Sequence, residues 1–133
     1  MEHVEHISSQ GLPLVYIIRA ELSPPQTTFL TPTEFTHQVG LIVYPAGGEV
    51  RRHRHLPIER HIAGTSEVII VRKGRCELDV YDNDGTLVAT RELRTGDVML
   101  MIGGGHGFRM TEDTELLEVK QGPYTGLHEK ELF

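Results

Sequence analysis

Apolar residues in this chain gather in short runs, and turn residues close nearly every run. "LPLVYIIRAEL" is apolar and β-branched, "HQVGLIVYP" is closed by "PAGG", and "EVIIVRKG" ends on glycine. "RCELDVYDNDGTLVATREL" reads as a hairpin with "DNDG" at its turn. "DVMLMIGGG", "HGFRM" and "TELLEVKQGP" follow. Many short strands with Gly and Pro between them predict an all-β sandwich or barrel. "EVIIV" and "VMLMI" are nearly continuous, which suits strands covered on both faces. A helix-rich fold is excluded because the runs are too short and too often broken by glycine. The tail "GLHEKELF" is the one helical candidate.

A length of 133 residues suits a single domain, 1–133, able to bury a core. Lys plus Arg total 13 against 19 Asp plus Glu, a formal net charge of −6. A general nucleic-acid binder would need the opposite balance to neutralise phosphates. The one cysteine, Cys76, cannot form an intrachain disulfide, which fits a reducing compartment. The N-terminus starts acidic, with no basic segment before an apolar run. No apolar run approaches the roughly 20 residues that span a bilayer. The expectation is a cytoplasmic protein with no membrane or nucleic-acid partner.

Histidine chemistry changes this picture. There are eight histidines, of which His3, His6 and His128 lie near the ends and are expected to be solvated. "GGEVRRHRH" places five basic side chains at 51–55. If residues 49–55 are extended, side chains alternate faces. His53 and His55 then point one way, and Arg52 and Arg54 the other. Residues two apart on a strand are close enough for both rings to meet one ion. Glu67 opens the strand "EVIIVRKG", and His106 follows the glycine-rich turn of "GDVMLMIGGGHGF". Three imidazoles and a carboxylate form a mixed N/O set, suited to one divalent Mn, Fe, Co, Ni or Zn ion.

These residues resemble the two motifs of the cupin superfamily. Gly47, five residues, "HRH", then Glu67, six residues and Gly74 match the first motif. Gly96 through His106 match the second, with 21 residues between Gly74 and Gly96. The likeness spans residues 38–122. It implies an antiparallel β-barrel of the double-stranded jelly-roll type, with an N-terminal strand extension and a short C-terminal tail. It also implies His53, His55, Glu67 and His106 as metal ligands and a homodimer as the assembly.

The chain departs from the family at three points. The gap between His55 and Glu67 is eleven residues, "LPIERHIAGTS", far beyond the family's usual spacing. Glu59 stands at the ordinary distance from His55 and competes with Glu67, but only Glu67 has the following strand and glycine. The turn before His106 lacks the family's proline, and Met110 stands where the family has asparagine.

In the insertion, Glu59 and His61 are candidate acid–base groups, and Arg60 is a candidate anion contact beside Arg51. The bland alternative for each is a solvated surface group. Glu118 and Lys120 share a face and either line a cavity or form the polar side of an edge strand; Arg109 is weighed the same way. Tyr44 is expected in the core or at an interface.

The resemblance implies a small metal-dependent enzyme acting on a sugar-like or hydroxy/keto substrate, of isomerase, epimerase or lyase type. An iron-dependent dioxygenase and a non-catalytic sensor of small ligands are the alternatives.

Overall fold

The structure is a computed structural model that describes residues 1–133, with the side chains of Leu127 and His128 outside the described residues. The expectation for His128 therefore lies outside what is described. Ten strands form in chain order: β1 (Val4–Ser9), β2 (Leu12–Ile18), β3 (Thr28–Phe29), β4 (Gly40–Leu41), β5 (Glu67–Lys73), β6 (Arg75–Tyr81), β7 (Leu87–Arg94), β8 (Val98–Met101), β9 (Gly105–Met110) and β10 (Glu115–Lys120). The helical tail expected from sequence is a single 3₁₀ turn, Gly126–Glu129. The protein is all-β and every strand pair is antiparallel. The sheets stay open, and none closes into a barrel.

The chain divides into two compact units, residues 1–22 with 65–133, and residues 23–64. The first unit holds a five-stranded sheet, β1-β2-β8-β5-β10, and a three-stranded sheet, β7-β6-β9. One face of each sheet is apolar by period-two alternation. Ile7, Val15, Ile17, Ile69, Val71 and Met99 from the larger sheet pack with Cys76, Leu78, Val80 and Leu93 from the smaller. Each such buried side chain contributes roughly 1.5–3 kcal/mol of transfer free energy. The sequence-expected hairpin is present as β6 and β7, with the Asp82 carboxylate accepting from the Asp84 and Thr86 amides at its turn.

Four connections carry the chain between the two sheets, and three of them show what fixes the crossing. Gly74 alone links β5 to β6, at φ 89°, and a Cβ there would strike the Asp113 carbonyl oxygen. Only glycine fits both the angle and the space. The turn from β7 to β8 is organised by Asp97, whose side chain is buried. Its carboxylate accepts from the Arg19 guanidinium, the Ala20 amide and the Arg94 amide, each at 2.9 Å. The third connection is the "GGG" turn after β8, where the amides of Ile102 and Gly103 donate to the Leu14 carbonyl.

The second unit carries the small β3–β4 pair. Thr31 and Gln38 tie its loop through side-chain hydrogen bonds to each other and to the backbone. Residues 42–64 form neither strand nor helix. The extended strand expected over 49–55 is therefore not formed, and "HQVGLIVYP" is a strand only at Gly40–Leu41. The physical reason is composition: "RRHRH" offers no apolar face to bury, and Pro45, Gly47, Gly48 and Pro57 interrupt any ladder. Tyr44 is exposed at 53%, so it is not part of the core.

Candidate functional site

Glu67 begins β5 and shares the inward face of Ile69 and Val71. A carboxylate is thereby carried to the end of the apolar core, where it is 7% exposed. His106 lies on β9 opposite the buried Val80 of β6. Its ring meets Glu67 from the facing sheet, with Nε2 3.5 Å from Glu67 Oε1. Phe108, two residues on, meets the ring edge-on at 5.6 Å between centroids.

The pair is chemically under-satisfied. A separation of 3.5 Å is long for a hydrogen bond. His106 Nδ1 is buried and has no hydrogen-bond partner. An orphaned buried polar atom of this kind costs roughly 1–3 kcal/mol and calls for an explanation. The His106 ring holds the Glu67 carboxyl below its ordinary value, outweighing the upward push of burial, and Glu118 and Lys120 add to the effect. Glu67 is thus kept as an ionised donor.

The pair opens onto a cavity of about 990 Å³. Ile69, Met101, Phe108 and Leu116 give it apolar walls, and Glu118 and Lys120 add polar groups from β10. Glu118 and Lys120 therefore line a cavity and also sit on an edge strand. Arg109 instead points outward and binds Asp79 and Glu77.

The other candidate residues lie in the second unit. His53 and His55 are exposed, with ring centroids 5.2 Å apart and planes crossing at 67°. His53 Nδ1–H donates to the Arg51 carbonyl at 2.8 Å. Arg51, Glu59, Arg60 and His61 are exposed as well. The structure thus pairs Glu67 with His106, and His53 with His55. Among the described residues, no three His, Cys, Asp or Glu side chains gather as a metal site. His6, expected to be solvated, is exposed but stacks on Tyr16 at 3.9 Å between centroids.

Sequence reasoning missed two contributors. Asp97 carries a faint signal, a Gly-Asp pair between two apolar strands. The C-terminal residues Glu129 to Phe133 also line the cavity, and nothing in their composition marks them for it.

No protein-family model, curated protein or solved structure matches this chain. No helix among the described residues is long and apolar enough to cross a membrane.

Proposed function

We propose that the protein is a metal-binding cupin that uses Glu67 and His106 as two ligands of one divalent transition ion and acts on a small polar substrate in the adjoining cavity. One observation carries this reading. A buried carboxylate and a partly buried imidazole face each other across two sheets at a ligand-to-ligand distance, and the imidazole retains a buried, unpartnered nitrogen. An ionised oxygen donor beside an imidazole is the donor chemistry of a borderline divalent ion.

Two donors do not complete such a site. His53 and His55 are proposed as further ligands on their motif in the sequence alone. Once bound, the ion would supply Lewis acidity toward a carbonyl or hydroxyl oxygen of the substrate. The chain's own residues do the rest. The apolar walls exclude water, while Glu118 and Lys120 orient polar groups of a sugar-like or hydroxy/keto molecule. Glu59 and His61 are the proposed acid–base groups, with Arg51 and Arg60 as the substrate contacts. Isomerase or lyase chemistry is the proposed class. The half-exposed apolar side chains of Leu117 and Val119 on the edge strand β10 support a homodimer.

The test is elemental analysis of protein purified without chelating resin, followed by titration with Mn, Fe(II), Co, Ni and Zn. Wild type should hold about one ion per chain, and Glu67→Gln and His106→Ala should each weaken binding by roughly 10–100-fold or more. A chain that binds none of the five ions would end the proposal.

A further inference from the structure

We propose that the last five residues, Glu129 to Phe133, are a strap across the cavity that must lift before a ligand reaches Glu67 and His106. All five line the same cavity as that pair. The strap is anchored on both sheets. On the five-stranded side, Lys120 Nζ of β10 binds Glu129 Oε1 at 3.0 Å, with side-chain exposures of only 13% and 19%. Thr125 Oγ1–H donates to the other Glu129 oxygen at 2.6 Å and fixes the carboxylate. On the three-stranded side, Phe133 meets Tyr81 of β6 edge-on, at 5.0 Å between centroids and 88° between planes.

The seat of Phe133 is made by the missing side chain of Gly105, where a Cβ would lie 2.7 Å from the ring; a Cβ on Gly85 would lie 3.6 Å from it, an ordinary contact. Gly105 adopts no left-handed backbone angle, so the close approach of this ring is what the position accommodates. The glycine immediately before His106 thus places the end of the chain beside the functional pair.

After Glu129 the strap is exposed and lightly held. Leu132 is 95% exposed and Phe133 is 74% exposed. Among the described residues, releasing it breaks one ion pair, one hydrogen bond and one aromatic contact and withdraws no core residue. A segment with few buried apolar contacts belongs to the low-stability end of a fold, where gating elements are found. The strap therefore gates the cavity.

This inference rests on the reading of Glu67 and His106 as the functional centre, but its test does not depend on a metal. Protein dialysed against EDTA is treated with diethyl pyrocarbonate, and the carbethoxylation rate of each histidine is followed by peptide mass spectrometry. The double variant Glu129→Ala, Phe133→Ala removes both anchors. Gly105→Ala expels the Phe133 ring from the opposite side and leaves the tail sequence intact. Each should label His106 about tenfold faster than wild type, while the rate at His6 stays unchanged. Wild-type rates at His106 in both variants would overturn the strap. So would equal acceleration at His106 and His6, because the whole unit would then have loosened. Metal content of the same proteins separates the two readings. Accelerated labelling without metal in any form leaves the strap standing and ends the metal site; metal binding with unaltered labelling does the reverse.

Discussion

Two carboxylates are buried in the first unit, Asp97 at 1% exposure and Glu67 at 7%, and they should respond differently to removal. Asp97 accepts three hydrogen bonds at 2.9 Å, two from backbone amides and one from the Arg19 guanidinium. Asp97→Ala strands all three donors. Each stranded buried donor costs roughly 1–3 kcal/mol, and breaking a buried charged pair costs about 3–5 kcal/mol. These contributions overlap, and Arg19 is 23% exposed and regains water, so a total of about 4 kcal/mol is the working figure. With an unfolding entropy of about 2.1 cal/mol/K per residue over this length, Tm should fall by about 14 °C. Asp97→Asn keeps one acceptor but turns an amine toward a donor, and should cost about 2–3 kcal/mol. Glu67 meets His106 at 3.5 Å, so Glu67→Gln in metal-free protein should cost about 1 kcal/mol or less. Urea unfolding of the three variants, followed by circular dichroism, makes the comparison. If Glu67→Gln destabilises as much as Asp97→Asn, Glu67 is a structural carboxylate and the reasoning fails.

Two further outcomes follow from single positions. Gly74→Ala combines a left-handed angle with a collision against the Asp113 carbonyl, and should destabilise by about 3 kcal/mol or more in the same urea assay; a change under about 1 kcal/mol would contradict the account of this crossover. Hydrogen bonds from Arg109 and then Thr90 hold the Asp79 carboxyl below its ordinary value of 3.8. A depressed acid contributes stability that is present above its unfolded pKa and is lost as pH falls through the folded one. Wild type should thus lose this contribution below about pH 4, and Asp79→Asn should flatten that part of the stability curve; an unchanged curve would refute the assignment.

Much of the first unit is legible in the residues. The hairpin of β6 and β7 could be read because alternation runs through "CELDVY" and "DNDG" can turn. An apolar strand and Gly74 follow Glu67 and not Glu59, which makes the inward place of Glu67 on β5 legible. The segment around His53 was harder to read. Period-two reasoning gives relative facing only if a strand exists, and a strand exists only where a neighbour pairs with it. Nothing in "EVRRHRH" reports whether such a neighbour is present. Asp97 and the tail were illegible for a related reason. Their roles depend on contacts with Ala20, Arg94, Lys120 and Tyr81, and sequence spacing does not encode such long-range partners.

The central claim is that Glu67 and His106 hold one ion between them. X-ray absorption of the zinc-loaded protein tests it most directly, with His106→Ala as the comparison. The account predicts a nitrogen–oxygen shell at about 2.0–2.1 Å in wild type, with imidazole scattering that drops by one ring in the variant. Imidazole scattering that is identical in both proteins would contradict it.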